Sequence, residues 1–231
     1  MLLYSILALY LTFPAGERLN YGAYFGPLRA GYSVMEIKEG ELEGEPAYVI
    51  ECVQKTEKAF SVIYRIDDYY KSLVDTNSFS TLSYTKNINE GKYSNNLTLE
   101  FTGDSVFYTD GRRTEKIPAA KDIFAALYWM RCQTFYPGDT LKVPFHSSGK
   151  NQEMIVPISD LQWTTVPMGK FRTFLLTPQV KDEKIFGSEE PIKIWVSVDP
   201  QHLPVKIESK LKVGKISFQL EEISVVGEEK E

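Results

Sequence analysis

Cysteine and histidine are scarce, two of each in 231 residues. Four such side chains make a zinc centre only if all of them converge on one point. Basic charge is short as well: 26 Lys and Arg against 31 Asp and Glu leave a net charge of −5. That balance argues against a nucleic-acid-binding face. The apolar run Met1 to Phe13 falls short of the ~20 residues that span a bilayer as a helix. Phosphate-cradling glycine loops are missing, and so is the Gly-x-Ser-x-Gly turn of a serine hydrolase. With 43% hydrophobic and 25% charged residues, the chain is neither disordered nor collagen-like. What it does have is aromatics: 14 Tyr and 13 Phe bring the aromatic share to 13%, a richness that suits strands.

Met1 to Phe13 carries no charge and has the length of a signal-peptide apolar region. No Lys or Arg precedes it, and Phe13-Pro14-Ala15 offers bulky Phe where a small residue is preferred for cleavage. Residues 1–15 are therefore read as a signal segment, with a first strand or an ordered arm as the alternative. No Cys follows the run, which argues against a lipid anchor. Residues 16–226 read as one β-rich domain, and 227–231 as a frayed charged tail.

Period-two alternation dominates the chain, the mark of half-buried strands. Leu19, Tyr21, Ala23 and Phe25 form one such series; Leu97, Leu99 and Phe101 form another. Ile192, Ile194, Val196 and Val198 follow the same rule. Val205 to Val213, then Ile216 to Leu220, predict a hairpin turning near Gly214, apolar on one face and charged on the other. Turn residues recur at strand-like intervals, which favours antiparallel meanders. So many strands predict a wrapped or closed sheet, because an open one leaves edges exposed. One segment departs from this pattern. Lys121 to Phe135 places Ile123, Phe124, Leu127 and Met130 at helical spacing, with Asp122 at its start, Arg131 near its end and Pro137-Gly138 beyond it. This helix is apolar nearly all round and should be buried on more than one side.

Chemistry is harder to find. His146 and His202 read as turn residues with no nucleophile near them in sequence. Asp67 and Asp68 are adjacent, so a strand sends them to opposite faces and they cannot share one site. Pairing of one of them with Arg65, or a turn cap, is the simpler role. Cys52 and Cys132 read as two separate buried thiols rather than a bridge. Tyr64, Tyr84, Phe101, Tyr128, Trp129 and Trp195 are the aromatics taken as candidate ligand contacts, although aromatics are also ordinary strand core.

Several stretches in order resemble a known family: Gly16-Glu17-Arg18-Leu19-Asn20-Tyr21, Leu28-Arg29-Ala30-Gly31, Tyr64-Arg65-Ile66-Asp67-Asp68, Asp122 to Arg131, Ile194 to Asp199, Leu203 to Lys210 and Val213-Gly214. From Gly16 to Val225 the chain resembles the bacterial exported domain of unknown function 3108 family. The resemblance implies a secretion signal and a large curved antiparallel sheet approaching a barrel. It implies no reaction and no catalytic residues.

The expectations are an all-β fold, a large curved antiparallel sheet approaching a barrel, with one buried helix at about 121–135. The expected protein is non-enzymatic and exported to the periplasm or cell envelope, with no cofactor, no metal and no nucleic-acid partner, and is not membrane-spanning in its mature form. It would bind a lipid or glycolipid in the concave face of the sheet. The alternatives are a glycan-binding module with exposed aromatics and a carboxylate-dependent hydrolase.

Overall fold

The computed structural model describes residues 15–62, 64–181, 185, 188–211 and 214–226. The N-terminal run read as a signal segment lies outside them, as does the charged tail. Eight strands come first: β1 (Glu17–Phe25), β2 (Leu28–Leu42), β3 (Glu45–Thr56), β4 (Asp67–Asp75), β5 (Thr81–Glu90), β6 (Tyr93–Thr102), β7 (Ser105–Tyr108) and β8 (Arg113–Glu115). A one-turn helix, α1 (Lys58–Ser61), sits between β3 and β4. Helix α2 (Ile123–Arg131) and the hairpin β9 (Thr140–Ser147) and β10 (Lys150–Pro157) follow. The chain ends in β11 (Gln162–Val166), β12 (Gly169–Leu176), β13 (Lys193–Ser197), β14 (Pro204–Leu211) and β15 (Gly214–Val225).

Thirteen strands form one antiparallel sheet in the order β11–β12–β13–β14–β15–β1–β2–β3–β4–β5–β6–β7–β8. Every neighbour in space is a neighbour in sequence except at one seam, where β15 pairs with β1 from Glu17↔Val225 to Phe25↔Ile216. The register carries apolar groups across the concave face, as in Leu19↔Met35, Met35↔Cys52 and Cys52↔Tyr70. The alternation read from the sequence points inward at Leu19 and Tyr21, at Leu97, Leu99 and Phe101, at Ile194 and Val196 and at Val205, but Phe25 and Val198, the last residues of their series, are exposed. The β14–β15 hairpin pairs up to Leu211↔Gly214, near the expected turn.

The sheet approaches a barrel without closing. Its free edges, β8 and β11, are separated in sequence by α2 and the β9–β10 hairpin, which forms a two-stranded sheet of its own. Isolated bridges tether that hairpin on both sides: Lys121↔Phe145 to the segment after β8, and Ile155↔Gln179 and Ile158↔Leu176 to the end of β12 and beyond. The helix covers the concave face, burying Phe124, Ala125, Ala126, Leu127, Tyr128, Met130 and Arg131. It is shorter than the 121–135 expected, for a reason visible at each end. Lys121 is held in its bridge to Phe145 and Asp122 is extended, so the helix starts at Ile123. At the other end the Gln133 N–H bonds back to the Met130 carbonyl, a tight closing turn. Among the described residues no helix is long and apolar enough to cross a membrane.

Candidate functional site

The two ends of α2 explain how the interior is filled. Asp122 caps the first turn, accepting from the Phe124 and Ala125 N–H groups at 2.9 and 3.2 Å. Its other carboxylate oxygen accepts from Ser72 Oγ at 2.5 Å and Thr81 Oγ1 at 2.7 Å, which fastens the helix to β4 and β5. Burial pushes this carboxyl above its ordinary range, against the pull of those hydrogen bonds. At the last turn Arg131 makes a two-pronged ion pair with Glu17 of β1, at 2.6 and 2.8 Å. The two side chains are 0% and 1% exposed. Arg131 Nη2 also donates to the Gln201 carbonyl at 3.2 Å, and the Arg131 carbonyl accepts from His202 Nδ1 at 2.8 Å. The helix is therefore pinned by a buried charge at either end.

This packing decides where the six candidate aromatics lie, and it does not bring them together. Tyr128 and Phe101 are buried, in separate core clusters. Tyr84 packs between those clusters, its ring 6.5 Å from Phe124. Trp129 is half-buried beneath Lys121, whose Nζ is 5.3 Å from the ring centroid. Trp195 occupies the face of β13 opposite Ile194 and Val196, with Lys206 Nζ 4.6 Å from its ring. Tyr64 alone of the six is exposed, in the β3–β4 connection.

Around Tyr64 the open end of the sheet is built from polar groups. Gly91, in the β5–β6 turn, has φ +58°, and a Cβ there would sit 3.1 Å from the Tyr64 ring. A cleft of about 350 Å³ opens beside this turn, lined by Arg65, Asp67, Asn89, Lys92, Tyr93 and Ser94, with Gly91 at its edge. Arg65 Nη2 donates to Asp67 at 3.0 Å, and Lys55 lies 3.1 Å from the same carboxylate. Together they hold the Asp67 carboxyl below its usual range. Ser94 Oγ donates to the Asn89 amide oxygen at 3.1 Å. Of the two aspartates, one of which is expected from sequence to pair with Arg65 or cap a turn, it is Asp67 that pairs.

Asp68 turns to the other face of β4. It accepts from the Asn89 N–H at 2.8 Å and shares a hydrogen bond with Glu90, which also bonds Tyr64. Burial raises both carboxyls; Asp68 pushes Glu90 up further, whereas the hydrogen bond from Glu90 pulls Asp68 back down. From sequence, Glu90 is only part of the turn signal Asn89-Glu90-Gly91 and not a site residue. Its signal is weak, a carboxylate at the end of a strand whose partner is revealed only by the β4–β5 register.

Two other readings change. His146 is a buried residue of β9 rather than a solvated turn: Tyr108 Oη lies 2.5 Å from Nε2, and Asn151 Oδ1 lies 2.7 Å from Nδ1. These contacts lock the hairpin against β7. His202 does occupy a turn, but its ring stacks on Phe135 at 4.4 Å. Cys52 and Cys132 do not bridge each other, and only Cys52 is buried as expected, Cys132 being half-buried. Burial pushes Cys52 up to about 11, leaving it a poor nucleophile at neutral pH.

The sequence profile of a protein family of unknown function, DUF3108, matches residues 20–221. No curated protein matches the sequence. Among solved structures, a β-barrel-like protein of the domain of unknown function DUF1849 from Brucella abortus shares the fold. Its TM-score is 0.59 at 11% identity, over 90% of this chain and 97% of that one. A DUF1089 family protein from Pseudomonas aeruginosa aligns over 89% and 95% of the two chains, at 12% identity and a TM-score of 0.39. A protein described as exported, with a YmcC-like fold, from Bacteroides fragilis aligns over 91% and 96%, at 11% identity and 0.36.

Proposed function

The chain belongs to the DUF3108 family of proteins of unknown function, and from that premise we propose a non-enzymatic protein of the cell envelope that binds an amphipathic ligand, a lipid or glycolipid. Export is supported by the uncharged apolar run at Met1 to Phe13. The ligand's polar head fits the cleft beside the β5–β6 turn, and its apolar part lies along the exposed Tyr93 and Tyr64. The observation that carries this reading is the lining itself. Two cations, a carboxylate paired with one of them, an amide, a hydroxyl and an aromatic face line a space of about 350 Å³ at the open end of the sheet. Helix α2 occupies the concave face, which leaves the rim as the accessible surface for a ligand.

A glycan is the second reading, favoured by the exposure of Tyr93 and Tyr64. A hydrolytic role has less support. Asp67 opens on the cleft, but Asp68 is buried on the opposite face, so the Asp68–Glu90 pair is not presented to a molecule held there.

Native mass spectrometry of protein purified from its own envelope fraction tests the reading. A retained amphipathic molecule, lost in Tyr93→Ala and Asn89→Ala variants that keep the wild-type circular dichroism, is the expected result. Protein that emerges without ligand, or variants that retain it fully, would contradict the proposal.

A further inference from the structure

We infer that the end of the sheet formed by the β1–β2, β3–β4 and β5–β6 connections docks on an anionic lipid surface. Antiparallel topology gathers these three connections at one end, together with the start of β15 at Gly214. They are physically joined. Phe25 packs its ring against Gly214, where a Cβ would come within 2.8 Å. Arg29 pairs with Glu57, and the Glu57 N–H donates to the Ala30 carbonyl at 2.9 Å. Tyr64 rests on Gly91, whose N–H donates to the Arg65 carbonyl at 2.8 Å.

Five large apolar side chains stand out along this edge: Val62 at 88% exposure, Tyr93 at 57%, Leu28 at 55%, Tyr64 at 51% and Phe25 at 41%. Large apolar side chains gathered at one end of a sheet mark an interaction surface. Tyrosines interleaved with aliphatic groups suit the headgroup level of a bilayer, where an apolar ring and a polar tip are both satisfied.

Charge says which surface. Two of the carboxylates at this end are paired with cations, Glu57 with Arg29 and Asp67 with Arg65 and Lys55, whereas Asp68 and Glu90 face each other, and Asp68 is turned to the other face of β4. Lys58 and Lys92 have no ion pair among the described residues. At the opposite end the β2–β3 turn is flanked by Glu39, Glu41, Glu43 and Glu45, all exposed and likewise without an ion pair among the described residues. A molecule of net charge −5 that keeps free cations beside its apolar edge, and free carboxylates at the far end, is oriented by a negative surface. Each cation near an anionic leaflet adds attraction that fades within a Debye length.

The inference does not depend on what the neighbouring cleft holds. Its test therefore uses Leu28, Val62 and Lys58, none of which lines that cleft. The full chain is sedimented with phosphatidylcholine vesicles, with and without phosphatidylglycerol. Binding to the anionic vesicles alone, weakened by salt, is expected. Lys58→Glu should reduce it about tenfold, by turning one attraction into a repulsion, and Leu28→Asp with Val62→Asp should abolish it. A Glu41→Gln, Glu43→Gln variant should bind as well as the parent, and circular dichroism should be the same for all. Equal binding to neutral vesicles, binding indifferent to these substitutions, or no binding to either vesicle would overturn the inference. So would a dimer in sedimentation velocity that Val62→Asp dissolves, since the apolar edge would then serve a second copy of the chain.

Discussion

At the scale of single residues the most consequential contact is the ion pair between Arg131 and Glu17, buried and separated by 114 positions in sequence. Removing one partner leaves a charge stranded in the core. Glu17→Ala is therefore expected to cost about 3–5 kcal/mol in urea unfolding. Replacing both partners together with Leu and Met should recover much of that loss, because no unpaired charge remains. A cost below about 1 kcal/mol for the single change would mean that the pair does not anchor the helix. The Asp68–Glu90 pair predicts a pH effect of definite sign. Burial raises both carboxyls, and the Asp68 charge raises Glu90 further, so the folded protein holds their protons more tightly than the unfolded chain does. The stability this provides is complete below the ordinary carboxylate range and is lost as pH rises through the raised values. Glu90→Gln should accordingly flatten the fall in stability as pH rises above the ordinary carboxylate range, and identical slopes for parent and variant would refute the coupling. A pairing of Arg65 with one of the two neighbouring aspartates was legible from sequence, and the start of β4 at Asp67 decides which one takes it. Asp68 with Glu90, and Glu17 with Arg131, were not, since each partner arrives through strand pairing or helix docking.

Among the elements, α2 stands out from the sequence by its change of period and by the Pro137-Gly138 stop. Its exact start was not legible, because Lys121 had to be assigned to a bridge with Phe145 that belongs to a different hairpin. The helix makes a ranking testable. Met130 is fully buried, so Met130→Ala should cost about 2–5 kcal/mol. Trp129 is only half-buried under Lys121 and should cost clearly less than its size suggests. Denaturant unfolding of the two variants checks this, and a larger loss at Trp129 would place that ring in the core after all. The β9–β10 hairpin shows a different limit of sequence reading. Pro144 to Gly149 resembles a strand end entering a turn, yet His146 is bonded to Tyr108 and Asn151 inside the fold. A histidine's surroundings come from the strand it meets, which local patterning does not contain.

For the whole molecule, alternation and turn spacing were enough to predict a curved antiparallel sheet, because every strand but one follows its sequence neighbour. The seam between β15 and β1 joins the two ends of the described chain, and no local pattern announces it. Since that seam and α2 tie both arms of the sheet together, residues 16–226 are expected to unfold in one transition, with tryptophan fluorescence and far-ultraviolet circular dichroism coinciding. Two separated transitions would instead divide the chain into two units. The central claim is that the ligand is held at the open rim while the interior stays filled by α2. Hydrogen–deuterium exchange, with and without lipid extracted from the native envelope, tests it most directly. The account predicts new protection in the β3–β4 connection and the β5–β6 turn, with α2 and the β9–β10 hairpin unchanged. Altered exchange centred on α2 and that hairpin, with the rim unaffected, would contradict it.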